Sequence, residues 1–110
     1  MNKDAAYVRY IIDVIGRIEN AVAIGKEAFL KSQLHQDAVL RNLHTMTETT
    51  QRLSADLKNQ NPDVMWDTLS AFRNVLVHDY LGIDMQLIWV VITRDLPEFK
   101  RHILRMNENL

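Results

Sequence analysis

The sequence predicts an all-α protein, a bundle of four to five mostly antiparallel helices. Three observations point there. Only three glycines and two prolines punctuate 110 residues, so long helices are expected. Apolar side chains recur at spacings of three and four along most of the chain, the period of one helix face. No run sustains the period-two alternation of a half-buried strand. Trp89-Val90-Val91-Ile92-Thr93 is β-branched enough to be read as a strand, but a lone strand without partners is unstable, and helix is preferred.

Taken in order, Tyr7, Ile11, Val14, Ile15, Ile18 and Val22 stripe one side of a first helix running from about Asp4 to Lys31, with Gly25 marking a possible bend. Val39, Leu40, Leu43, Met46, Leu53 and Leu57 define a second helix from about Gln36 to Lys58. Its middle is rich in threonine (Thr45, Thr47, Thr49, Thr50), a poor intrinsic helix former, so tertiary packing must decide that segment. Asn59-Gln60-Asn61-Pro62-Asp63 is the clearest break. Asp63 is a candidate cap for a third helix bearing Trp66, Leu69, Phe72 and Leu76, and Gly82 suits its C-terminal end. Asp84 can cap a fourth helix with Leu87, Ile88 and Val91. Asp95-Leu96-Pro97-Glu98 marks a last helix, or a kinked continuation, carrying Phe99, Ile103 and Met106. Met46, Met65 and Met85 read as core filler.

Composition narrows function. Apolar residues make up 47% and charged residues 25%, as in ordinary globular domains, and the length fits a single domain over residues 1–110. A domain of this size buries roughly two-thirds of its unfolded surface, so burial against a partner would help it. The absence of cysteine removes disulfides, thiolate zinc sites and cysteine nucleophiles. The early acidic residue Asp4 and the lack of an apolar leader core argue against a signal peptide, and the apolar run Leu87–Ile92 is too short to span a membrane. A cytoplasmic protein with no membrane contact is expected. The net charge of −1 argues against a broad duplex-binding surface and against DNA, leaving local contact through a few cations at a cleft.

The segment Arg73-Asn74-Val75-Leu76-Val77-His78-Asp79-Tyr80 holds the candidate chemistry. At ~100° per residue, Arg73 and His78 lie about 140° apart on a helix, Asn74 and His78 share a face, and Arg73 and Tyr80 nearly eclipse. Pattern alone also admits a structural role, in which Arg73 and His78 satisfy the last carbonyls of a helix and Tyr80 is a core aromatic.

The same stretch resembles the R-x4-H-x-Y signature of the HepT toxins, a group of HEPN domains. Trp66 ahead of the motif, Gly82-Ile83-Asp84, Ile88-Trp89 and Asp95-Leu96-Pro97 after it, and Asp37–Leu43 with Glu48 before it extend the likeness over nearly the whole chain. One departure stands out: Thr47-Glu48-Thr49 occupies the place where the family commonly reads Gly-Glu-Ala, which leaves the part played by Glu48 open.

The resemblance implies a HEPN-type bundle acting as a homodimer. It implies a toxin that is a metal-independent endoribonuclease needing no cofactor, inhibited by an MntA-type nucleotidyltransferase antitoxin. Arg73 and His78 are then catalytic, Asn74 supports them, and Tyr80 receives AMP from the antitoxin. The chemistry is compatible. Metal-free RNA cleavage needs a base for the 2′-hydroxyl and an acid for the leaving 5′-oxygen, tasks suited to imidazole. The guanidinium offers a planar fork to the charged phosphorane. One chain supplies one histidine to the motif, so acid and base are most easily divided across a two-fold axis. The RNA, whether tRNA or mRNA, is not specified by the sequence. The alternative is a non-catalytic HEPN subunit that pairs with a nucleotidyltransferase and helps hold nucleotide or substrate.

His35, His44 and His102 are too scattered to suggest a metal site. Asp13 and Glu19 read as solvated charges, and Lys100-Arg101 with Arg105 as a modest basic patch that could touch RNA.

Overall fold

The computed structural model describes residues 2–110. The elements are α1 (Asp4–Val22), α2 (Lys26–Leu30), α3 (Gln33–Gln51), α4 (Ala55–Gln60), α5 (Trp66–His78), α6 (Met85–Val90) and α7 (Leu96–Glu108), with a 3₁₀ turn at Tyr80–Gly82 and a π turn at Val91–Asp95. No strand forms among the described residues, and the β-branched run after Trp89 is helical. α1 packs on α3 and α7, α3 packs also on α5, and α2 lies against α3 and α6. The result is an all-α bundle of the HEPN type.

The apolar stripes fill the core as their periodicity predicts. Val8, Ile11, Val14, Ile15 and Ile18 of α1 meet Val39, Leu40, Leu43 and Met46 of α3, with Phe99, Ile103 and Met106 of α7 completing it. The threonines of α3 fit the same interface. Thr47, Thr49 and Thr50 are buried, and each hydroxyl donates to a carbonyl one turn back, Thr47 to Leu43 at 2.9 Å and Thr50 to Thr47 at 2.7 Å. Their polar atoms are thus satisfied inside the helix, and the methyl groups remain available for packing.

Two long helices expected from the pattern are each divided. The first stops at Val22, because Gly25 adopts φ 92°, a left-handed conformation that glycine tolerates without strain; α2 then starts afresh. The second stops at Gln51, and Ser54 opens α4 with extended backbone, its Oγ accepting from the Leu57 N–H at 3.1 Å. Asp4 explains why that junction is held. Its buried carboxylate accepts from Ser54 N at 2.9 Å and from Ser54 Oγ at 2.5 Å. The start of α1 is thereby tied to the end of α3, which makes the two antiparallel.

Other local expectations divide. Asp84 caps α6 as predicted, accepting from Gln86 N at 2.9 Å. Asp63 does not cap α5: the helix begins three residues later, after Met65, without a side-chain cap. Asp63 instead sits in the turn that buries Val64, and Trp66 Nε1 donates to the Asn61 carbonyl at 3.0 Å to close it. Asp95 is no cap either, since its backbone is helical; the kinked continuation is what forms. The π turn falls just before Pro97, where a regular helix would drive the proline ring into the carbonyl of Thr93. Met46 is buried and Met85 packs at the edge of the core, but Met65 is 70% exposed, outside the core predicted for it.

Replacing Asp4 by alanine should lower stability by about 1–3 kcal/mol, since Ser54 loses both partners at a buried junction. Urea unfolding followed by circular dichroism measures it, and an unchanged midpoint would show that the latch contributes nothing.

Candidate functional site

α5 is the least enclosed of the long helices. Leu76 is its one buried residue, Trp66, Leu69 and Phe72 pack partly against the core, and Val75 and Val77 are exposed. The inward stripe grips α3, which leaves the polar positions of α5 on open faces and at the α3–α5 seam.

Arg73 lies in that seam. Its Nε donates to Glu48 Oε1 on α3, its Nη2 forms an ion pair with the same oxygen, and its Nη1 donates to Asn74 Oδ1 at 3.2 Å. His44, one turn before Glu48, places Nε2 3.6 Å from the same Oε1. That is ion-pair distance, longer than a hydrogen bond. The hydrogen bond from Arg73 holds the Glu48 carboxyl below its ordinary range near 4.5; partial burial opposes the shift, and the charges of Arg73 and His44 reinforce it.

The four residues singled out in the sequence are therefore not equivalent. Arg73 and Asn74 are in direct contact. Asn74, which shares a helix face with His78 by its spacing, takes its hydrogen bond from Arg73. His78 is the last residue of α5 and is exposed, one turn beyond Asn74. Tyr80 does not eclipse Arg73, because α5 ends at His78 and Tyr80 begins a 3₁₀ turn. Nor is Gly82 a left-handed helix cap, since its φ is not positive. A β-carbon there would come within 2.7 Å of Asp79 Oδ1, so a larger residue would require that exposed side chain to turn aside. The Tyr80 ring is 45% exposed, so it is a surface group and not a core aromatic.

Sequence reasoning singled out Glu48 but left its part open, and it did not connect His44 or Arg73 with it. Glu48 and His44 share a helix face at a spacing of four, a legible signal, but their partner is 25 residues away from Glu48 in the chain. Thr47 is fully buried, so the residue standing in place of glycine is accommodated beside Glu48.

The remaining candidates fall away from this cluster. Glu19 is exposed, as a solvated charge should be, and pairs with Lys100 at 2.9 Å; among the described residues Arg101 and Arg105 of the basic patch form no ion pair. Asp13 pairs with Arg17 at the surface. His35 is bound to Ser32 at 2.6 Å. Among the described residues, no three histidine or carboxylate side chains gather as a metal site. No helix is long and apolar enough to cross a membrane.

Chemically, the seam presents a guanidinium whose charge is balanced by one carboxylate, with Asn74 at its rim. Because the Glu48 value is depressed in the folded state, the stabilisation from its pairing is complete above the ordinary carboxylate range and is lost as pH falls through the lower folded value. Glu48→Gln should lower the melting temperature at neutral pH, and the difference from the parent should close in strongly acid solution. Parallel thermal melts across pH check this; a constant gap at all pH values would contradict it.

Comparison with known proteins agrees with the fold. The family described as "Ribonuclease HepT-like" matches residues 11–106. "Probable ribonuclease HepT" of Thermococcus cleftensis is 30% identical over 95 residues, covering 86% of each chain. A "Putative RNase" of Methanocaldococcus jannaschii is 26% identical over 86% of this chain and 90% of its own. A second protein of that organism, "Gamma-glutamylcyclotransferase and putative RNase", is 30% identical over the full chain, which spans 50% of that protein's length. No solved structure matches. The match over nearly all of the helical bundle, together with the identity to the Thermococcus protein, leads to one conclusion: this chain belongs to the HepT-like ribonuclease family.

Proposed function

We propose that the chain is the toxin component of a toxin–antitoxin pair, an endoribonuclease that cleaves RNA through Arg73 and His78 without a metal ion. The observation that carries this reading is the placement of Arg73: a guanidinium fork at an open seam, bracketed by Glu48 and Asn74, with exposed His78 five residues on at the end of the same helix. The family relationship supplies the reaction class.

In the reaction, a base removes the 2′-hydroxyl proton of the RNA and the oxygen attacks the adjacent phosphorus. The P–O5′ bond breaks as an acid protonates the departing 5′-oxygen, leaving a cyclic phosphate and a free 5′-hydroxyl. Imidazole changes charge near neutrality and suits either proton transfer. Arg73 would meet the charge that builds on the non-bridging oxygens. Asn74, already bonded to Arg73, acts as its support.

One chain brings one motif histidine, and a second copy would bring the other. Val75 and Val77 on α5, and Leu81 just beyond it, are exposed beside the motif, which supports a homodimer whose composite cleft divides acid from base. Tyr80 stands exposed in the short turn next to His78. We assign it as the residue that an MntA-type nucleotidyltransferase antitoxin modifies: the phenol oxygen bonds to the nucleotidyl phosphorus of ATP, diphosphate leaves, and the phenol proton passes to a base. The transferred phosphate adds negative charge and bulk where RNA phosphate must enter.

Expressed alone, the chain should arrest growth and, purified, should cleave RNA in the presence of a chelator. Arg73→Ala and His78→Ala should each relieve arrest, with cleavage reduced about 10²–10⁴-fold. Folded variants that cleave as the parent does would refute the assignment, and a parent that binds but never cleaves would identify a non-catalytic binding subunit. Tyr80→Phe should retain cleavage and escape nucleotidyl transfer, read as loss of the added mass after incubation with antitoxin and ATP. A variant still labelled at the parental rate would place the modification elsewhere.

A further inference from the structure

The α3 side of the seam contains a group that the Arg–His–Tyr motif does not include. His44 and Glu48 are four residues apart on one face of α3, and Glu48 pairs both with His44 and with the guanidinium of Arg73 from α5. Glu48 Oε1 is the shared atom: it accepts from Nε of Arg73, is ion-paired with its Nη2, and lies 3.6 Å from Nε2 of His44. The three side chains are about one-quarter to two-fifths exposed, so solvent and a ligand can both reach them.

The charge balance at this oxygen decides what the seam can bind. With neutral imidazole, Arg73 and Glu48 cancel, and an arriving phosphate meets no net positive charge and an occupied fork. With protonated imidazole the cluster carries one positive charge, and Glu48 has a second cation to hold it. We infer that His44 is a second cationic group of the phosphate-binding site, which when protonated takes over Glu48 and releases the Arg73 fork to an RNA phosphate. The inference rests on the reading of Arg73 as a phosphate ligand.

Other charges surround the cluster, among them exposed Arg41, three residues before His44 on α3. From α1, Asp13 pairs with Arg17, Asp4 is bound at Ser54, and Glu19 pairs with Lys100. From α2, Glu27 pairs with Lys31. On α3 itself, Asp37 takes the amide of Gln33. Among the described residues, Glu48 is the one carboxylate within ion-pair distance of His44, and Arg73 is the cation from α5 that reaches the same oxygen. Histidine is the side chain whose charge changes near neutrality, so this contact makes RNA affinity rise as pH falls. His44 touches no reacting atom in this scheme. It acts through Glu48 on the availability of Arg73, and is a positioning residue.

The test uses the full chain carrying His78→Ala, which removes cleavage and the titration of the motif histidine. Binding of a short, fluorescein-labelled, mixed-sequence single-stranded RNA is followed by anisotropy from about pH 5.5 to 8, the range in which imidazoles titrate. The parent should bind about three- to fivefold more tightly at the acid end, the size of one partly exposed ionic contact. On the same background, His44→Gln should remain at the weak, high-pH affinity throughout, and His44→Lys should remain near the tight, low-pH affinity throughout. A His44→Gln protein that keeps the parental gain overturns the inference, as does a His44→Lys protein that binds no better than His44→Gln at pH 8. Arg73→Ala separates the two levels of the argument. If it binds RNA as the parent does, the phosphate-ligand reading itself fails; if it loses binding while His44→Gln follows the parent, the role of His44 alone fails.

Discussion

The α3 helix has to be buried on two sides at once, against α1 and against α5, and the rest of the molecule follows from how that is achieved. A helix so placed needs compact side chains and no unpaired polar groups. Its threonines answer both demands by returning their hydroxyls to carbonyls of the preceding turn. With α3 seated, α1 is latched to its end through Asp4 and Ser54, and α5 is left with a single neighbour of substance. That asymmetry produces a site: the helix bearing the motif is anchored along one stripe and open along the others.

Electrostatics then acts on this frame. A guanidinium at a helix seam would be costly without a partner, and Glu48 meets it from the helix that is most firmly held. The arrangement fixes the direction of Arg73 before any ligand arrives, so little ordering is left for the binding step. It also means that the cation is not free, and whatever anion the seam receives must share the fork with a carboxylate. Asn74 and His44 are the neighbours that can alter that competition. The motif is thus better described as one strand of a network than as a row of residues on a single helix.

The end of α5 shows a second consequence of local geometry. Had the helix continued, Tyr80 would stand above Arg73. Termination at His78 places the tyrosine in a tight turn, closed by the Gly82 N–H donating to the Asp79 carbonyl at 3.1 Å. The turn takes the phenol off the helical repeat and leaves it exposed just beyond the last helical residue.

The helical class, the core stripes and the segment bearing Arg73, Asn74, His78 and Tyr80 were legible in the sequence, because periodicity and residue chemistry are local properties. The Asp84 cap and the kink at Pro97 were legible for the same reason. Gly25 was legible as a bend but not as a full stop, which its backbone angle decides, and the break at Ser54 was not legible, since only the Asp4 contact reveals it. The partnership of Glu48 with Arg73, and the approach of His44 to it, belong wholly to the tertiary structure: 25 residues separate Glu48 from Arg73, and nothing in a helical repeat says which turn of α3 will face which turn of α5. The sequence by itself determined the helical class and offered the polar side chains of one segment as candidates. Packing of α3 between its two neighbours decided which of them meet, because side-chain contact across helices depends on the rotation and register that burial of the whole apolar surface selects.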